Sequence, residues 1–285
     1  MLSHDNIYWE CMTAIKISQS RKKEEVFVSY LPLSHIAGQF QDVWVALLSL
    51  STVVFADHNA LKGSLIDTLK DARPTIFVGV PRVWEKMKEG MQDKGRAVGG
   101  LKKMVADACK KAGLDFHLND NSSLMYTVGK KAIYPKVTEA LGLDRTKMFL
   151  SGAAPLGEET LKYFMSLDIV IQEAYGMSET TGIHTGMVGK PKIDSVGQAV
   201  PGAELKIIGQ DSKGEGEICM RGRNTMMGYL NREDKTKEDV DAEGWIHSGD
   251  VGSIDADGYL FITGNPLKLR GFDIKFHHNE LSCFI

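Results

Sequence analysis

From the N-terminal residues to about Tyr175 the sequence alternates short apolar runs with longer amphipathic stretches, and this alternation limits the possible folds more than any other feature. VFVSYLPL at Val26 to Leu33, STVVFA at Ser51 to Ala56, TIFVGV at Thr75 to Val80, MFLSG at Met148 to Gly152 and IVIQEAY at Ile169 to Tyr175 each read as a strand. Between them, helical spacing covers His35 to Leu50, Leu61 to Ala72, Arg82 to Lys111 with a break at Gly99 and Gly100, Ser123 to Leu141 disturbed at Pro135, and Glu158 to Ser166. A first helix carries Ile7, Trp9, Met12 and Ile15, with Asp5 placed to cap it. Strands separated by helices predict an α/β fold with a mainly parallel sheet flanked by helices. From Gly189 the texture changes to short β segments: AELKII, GEICMRG, WIHSGDVGSID and YLFITG, the last two joined at Ala256, Asp257 and Gly258. The expected division is residues 1–188 as the α/β part, 189–264 as a smaller β-rich lobe of the same domain, and 265–285 as a divergent tail.

Composition narrows the function classes. Hydrophobic residues make up 43% of the 285, enough for a core, and charged residues 25%. The net charge of -3 gives no reason to expect nucleic acid as a partner. Cys11, Cys109, Cys219 and Cys283 are scattered, with no metal-site spacing and too few for a disulfide framework, so a reducing, cytoplasmic compartment is expected. The longest mainly apolar stretch, Val43 to Ala56, is shorter than the roughly 20 residues that span a bilayer, and no secretory signal is visible. Arg82 to Lys111 holds nine basic against four acidic residues. A solvated helical face is the first reading of that segment, and peripheral contact with intracellular membranes the second.

Four segments carry residues suited to chemistry. YGMSETTG, Tyr175 to Gly182, directly follows a predicted buried strand, the position at which α/β sheets bind ligands. Tyr175 offers a ring to stack on a base, Ser178 and Thr180 offer hydroxyls to phosphate, and Glu179 offers a carboxylate to Mg²⁺. The same residue types also make an ordinary capped polar turn. In LSGAAPL, Leu150 to Leu156, the small residues Gly152, Ala153 and Ala154 admit a flat ligand or simply pack a strand-to-helix turn. GWIHSGDVG, Gly244 to Gly252, places Asp250 where it would bind two ribose hydroxyls or sit as a solvated turn residue. In YLPLSHIAGQ, Tyr30 to Gln39, His35 opens a helix after a buried strand, where a lone histidine is usually structural.

Together and in this order, the four segments resemble the adenylate-forming superfamily of acyl-CoA synthetases, luciferases and peptide-synthetase adenylation domains. FVGVPRVWEKM, LSGAAPL and YGMSETTG are most similar to long-chain fatty acyl-CoA synthetases of the bubblegum-type branch, and the resemblance runs from Met1 to Gly264. It implies an AMP-forming ligase with ATP, Mg²⁺, coenzyme A and a long-chain fatty acid as its ligands. The acid attacks the α-phosphate of ATP to give acyl adenylate and pyrophosphate, and the coenzyme A thiol then displaces AMP. By resemblance, Tyr175 and Gly176 face adenine, Ser178 contacts phosphate, Glu179 binds Mg²⁺ and Asp250 holds the ribose. Gly152, Ala153, Ala154 and Thr180 adjoin the nucleotide, and His35 sits near the carboxylate and the acyl entrance.

The sequence also departs from that family. Its Ser, Thr and Gly-rich loop ending in Pro-Lys-Gly, which embraces the β and γ phosphates, has no match among these 285 residues, and MLSHDN resembles the text that follows it. After YLFITG, Asn265 stands where the family's ribose-binding arginine is expected, and Lys268 and Arg270 are out of register with its lysine-rich hinge. His277 and His278 are adjacent without a further ligand pattern. The expectation is a chain truncated at both ends and inactive by itself. The alternative is a noncatalytic isoform that binds nucleotide or pairs with a full-length synthetase.

Overall fold

The computed structural model describes residues 1–97, 99–186 and 190–264, so the expectations about the 265–285 tail lie outside the described residues. Two compact units are assembled from interleaved segments rather than from consecutive halves. The first takes Met1–Glu24, Leu31–Ser51 and Ala174–Ile285, and the second takes Glu25–Tyr30 and Thr52–Glu173.

The second unit holds the parallel strands that the alternation predicts. β1 (Val26–Ser29) pairs with β2 (Thr52–Phe55), and β3 (Ile76–Gly79), β4 (Met148–Ser151) and β5 (Ile171–Glu173) follow in the order β3-β4-β5, every pair parallel. Thr75 joins the two groups, its N–H donating to Val26 O at 3.0 Å and its Oγ1 accepting from Val26 N at 3.0 Å. FVGVPRVWEKM proves to be a packing motif. Pro81 occupies the first turn of the helix Pro81–Arg96, where a missing N–H costs nothing, and Trp84 is carried into the core. The indole packs edge-on against Phe77 at 5.2 Å and Phe164 at 5.1 Å, and its Nε1 donates to Leu150 O at 3.1 Å. A Cβ at position 79 would stand 2.5 Å from that nitrogen, which is why glycine occupies the strand end.

The helix breaks follow the sequence signals. Pro81–Arg96 and Gly100–Asn119 separate at the Gly99 and Gly100 region, and Leu124–Ala132 gives way to Tyr134–Leu141, with Pro135 in the first turn of the latter. Leu61 to Ala72 is not one helix. A 3₁₀ turn at Ala60–Lys62 ends at Gly63, whose φ is 143°, and the α-helix begins at Leu65.

In the first unit the helix His4–Ile17 is capped by Ser3 and not by Asp5: Asn6 N donates to Ser3 Oγ at 3.0 Å while Ser3 N donates to Asn6 Oδ1 at 2.8 Å. Asp5 lies in the first turn and instead receives a bidentate Arg223 guanidinium. The helical run after His35 is continuous but contains seven π-helical residues, Gln39–Val45, between Ile36–Gly38 and Ala46–Ser49. The β texture becomes an antiparallel sheet of β6 (Ala203–Ile208), β7 (Gly216–Gly222), β8 (Ile246–Ile254) and β9 (Leu260–Gly264), in that order. Its core gathers Val196, Ile218, Met220 and Leu260. The short helix Glu233–Asp239 has no buried residue and hence no apolar periodicity to announce it. Among the described residues, no helix is long and apolar enough to cross a membrane.

Candidate functional site

Ala174 begins the last segment of the first unit, so YGMSETTG belongs with the antiparallel sheet and not with the strand that precedes it. Tyr175 and Thr185 form an antiparallel bridge, with Tyr175 N donating to Thr185 O at 3.1 Å and Thr185 N to Tyr175 O at 2.9 Å. Tyr175 and Met177 pack against the Val196, Ile218, Met220 and Leu260 core. This anchoring brings the Tyr175 hydroxyl to Asp250, which accepts from it on Oδ2 at 2.8 Å across 75 residues of sequence. Burial pushes the Asp250 carboxyl above the usual carboxylate range, opposed by the Tyr175 hydrogen bond. The Tyr175 phenol is likewise raised, first by burial and then by the Asp250 charge.

Gly176 cannot be another residue in this loop, since a Cβ there would fall 1.7 Å from Gly182 O. The loop therefore closes on itself. Ser178–Thr180 forms one 3₁₀ turn, stopped by Thr181 at φ 60°. Ser178 is exposed. Thr180 is not available in the way the sequence suggests: its side chain is fully buried, its Oγ1 accepts from Met177 N at 3.0 Å and stands 3.1 Å from Met177 O. The residue shapes the turn. Glu179 is held by Tyr229, whose hydroxyl lies 2.9 Å from Glu179 Oε1 and 3.0 Å from Asp239 Oδ2, so its single proton serves one carboxylate at a time.

Beneath the turn lies a buried polar group that sequence reasoning missed. Thr181 Oγ1 donates to Asn224 O at 2.6 Å, and Asn224 Nδ2 donates to Thr180 O at 3.1 Å and faces His184 Nδ1 at 3.3 Å. His184 Nε2 donates to Glu204 O at 2.9 Å, which fixes the tautomer, and burial holds the imidazole below its usual pKa. Glu10 reaches this group from the helix His4–Ile17 and meets Asn224 and the Ile183 N–H. Only 1% exposed, its carboxyl is pushed up to about 9 by burial. Glu10 Oε2 and Asn224 Oδ1 are both buried acceptors without a donor, a gap that a proton on Glu10 would fill.

His35 serves as a helix cap, its Nδ1 accepting from Ala37 N at 3.1 Å, which leaves the proton on Nε2. The helical run it opens reaches the loop within the same unit, because Phe40 stands 3.6 Å from where a Gly182 Cβ would be. Gly152, Ala153 and Ala154 belong to the second unit, beyond the end of β4. Ala153 and Ala154 are exposed, and Ala153 holds a left-handed φ of 72°, a conformation costing an L-residue about 1–2 kcal/mol. Glu173, buried at the end of β5, steadies this step by accepting from Leu156 N at 2.8 Å.

Residues 1–230 match the family described as AMP-binding enzyme. The long-chain-fatty-acid–CoA ligase ACSBG2 of Gallus gallus is 44% identical over 278 residues, covering 94% of this chain and 36% of that protein. ACSBG2 of Homo sapiens is 42% identical over 273 residues (93% and 41%), and ACSBG1 of Mus musculus is 42% identical over 279 (94% and 38%). The chain thus spans 36–41% of the length of these relatives. Among solved structures, ATP-bound MatB from Rhodopseudomonas palustris superposes with a TM-score of 0.67 at 23% identity, covering 93% of this chain and 44% of that one. A malonyl-CoA ligase product complex with methylmalonyl-CoA and AMP bound gives 0.68 at 23% identity, covering 93% and 49%. These superpositions speak to the α/β fold, and the family match spans most of the sequence, including the Tyr175 loop. The chain belongs to the AMP-binding enzyme family.

Proposed function

We propose that this chain carries the adenosine-binding part of a long-chain fatty acid–CoA ligase, an enzyme that activates its acid through an acyl adenylate. The observation that carries the reading is the 2.8 Å hydrogen bond between Tyr175 and Asp250, which joins two motifs 75 residues apart into one pair. Adenosine needs such a pair: an aromatic wall for the base and a carboxylate for the ribose diol. Asp250 is half-buried and its carboxyl is raised by desolvation, so two ribose hydroxyls would supply donors that the partly dehydrated carboxylate lacks. Gly176, exposed beside Tyr175, leaves the loop backbone open to the purine edge, and the exposed Ser178 hydroxyl is the phosphate donor of the turn.

Glu179 fits a monodentate Mg²⁺ ligand, because Tyr229 engages its Oε1 and orients the carboxylate as outer partners orient metal ligands. When bound, the ion supplies charge neutralisation on the phosphates. His35 keeps its place in this reading near the carboxylate of the acid, with Nε2–H available to donate. The likeness to ligases named for long-chain fatty acids supports the substrate class.

A polypeptide of these 285 residues contains no Pro-Lys-Gly phosphate loop, so it binds nucleotide without turning it over. The test is to incubate the folded chain with ATP, Mg²⁺, coenzyme A and a labelled long-chain fatty acid, and separately with preformed acyl adenylate. No acyl-CoA is expected in either arm. Turnover above a denatured control would contradict the assignment of the loop as indispensable.

A membrane surface is a second ligand that one observation favours. Leu101, Met104 and Val105 are exposed at i, i+3 and i+4 on the helix Gly100–Asn119, flanked by the exposed Lys102 and Lys103. Co-sedimentation with anionic vesicles should fall in a Leu101→Glu, Met104→Glu variant, and equal binding by that variant would remove the helix from consideration.

A further inference from the structure

Glu217 and Cys219 lie two residues apart on β7, and Cys219 is the direct antiparallel partner of His247 on β8. His247 Nδ1 stands 3.7 Å from Cys219 Sγ and 3.2 Å from Glu217 Oε2, and the three atoms all lie within 4.8 Å of one another. Around a tetrahedral zinc ion, bonds of about 2.3 Å to sulfur and about 2.0–2.1 Å to nitrogen or oxygen put neighbouring S and N ligands about 3.6 Å apart and N and O ligands about 3.3 Å apart. The sulfur–nitrogen and nitrogen–oxygen separations, 3.7 and 3.2 Å, match that geometry within a few tenths of an ångström. We propose that Glu217, Cys219 and His247 form a binding site for a thiophilic divalent cation of the Zn²⁺ class.

The surroundings suit such an ion. Cys219 is fully buried and closes the floor, while His247 and Glu217 side chains are 28% and 32% exposed, so a cation has access from solvent. Asp241 Oδ2 lies 3.7 Å from His247 Nε2, where a small rotation makes it the acceptor that orients a metal-bound imidazole. Burial, and then the Glu217 charge, push the Cys219 thiol up to about 11, with Lys206 pulling the other way from β6. Cys219 is therefore a neutral thiol in the metal-free chain, and a dication held by Glu217 and His247 would favour its thiolate, the proton leaving to solvent. Glu217 Oε1 also accepts from Gly249 N at 3.3 Å. A cation held on Oε2 would therefore fix the loop that presents Asp250.

The experiment titrates the reduced, metal-free chain with Co²⁺ and then displaces it with Zn²⁺. The expected result is a stoichiometric thiolate-to-cobalt charge-transfer band in the near ultraviolet, with tetrahedral d–d bands in the visible. Cys219→Ser should abolish the band, and His247→Gln or the shape-preserving Glu217→Gln should weaken Co²⁺ binding at least about ten-fold at unchanged far-ultraviolet circular dichroism. Cys11→Ser, Cys109→Ser and Cys283→Ser should leave it intact. A folded chain that gives no thiolate–cobalt band, or a band that survives Cys219→Ser, overturns the site.

Discussion

Replacing Glu10 by glutamine should make the first unit more stable at neutral pH. The carboxyl is pushed up to about 9 in the fold from an ordinary 4.5, so between those values the folded chain holds a proton that the unfolded chain has released. The native state thus binds more protons, and stability falls as pH rises through this window, with the full contribution present below about 4.5. At pH 7 the interval above 4.5 is 2.5 units, and at about 1.36 kcal/mol per unit the cost is about 3 kcal/mol. Glutamine is neutral at every pH and of nearly the same shape, so it escapes this cost. Chemical denaturation of both proteins at pH 5, 6, 7 and 8 should show the advantage of Glu10→Gln growing by about 1 kcal/mol per unit. A difference independent of pH would mean that the buried carboxyl is ionised, and the argument from desolvation would fail.

Two further outcomes follow from the loop. Gly176→Ala would put a Cβ 1.7 Å from Gly182 O and force the loop to shift, so calorimetry should show AMP affinity falling at least about ten-fold while the antiparallel sheet, followed by far-ultraviolet circular dichroism, persists. In any longer polypeptide of this protein that forms acyl adenylate, Glu179→Gln should lower ATP–pyrophosphate exchange by about 10² to 10³. Normal exchange would remove Glu179 from the phosphate site.

The fold was legible where one local signal decided it. The five apolar runs became five parallel strands, and Gly99 and Pro135 marked real helix breaks. Asp5 was misread as a cap because Ser3 and Asn6 form the reciprocal pair, and the Arg223 that claims Asp5 is 218 residues away. The Tyr175 and Asp250 pair could be expected from motifs. The buried setting of Thr180 could not, because its carbonyl meets Asn224, 44 residues downstream. Glu10 and the Glu217, Cys219 and His247 cluster were invisible for the same reason. A ligand set assembled across antiparallel strands has no fixed spacing, so scattered cysteines concealed it.

The central claim is that Tyr175 and Asp250 receive adenosine, and isothermal titration of the folded chain with AMP and with MgATP tests it most directly. AMP should bind, and MgATP no more tightly, because base and ribose contacts are present while the phosphate loop is not among these residues. Asp250→Ala removes a charged acceptor and should weaken AMP roughly ten- to hundred-fold. A folded chain that ignores AMP, or an Asp250→Ala variant that binds it unchanged, would contradict the account.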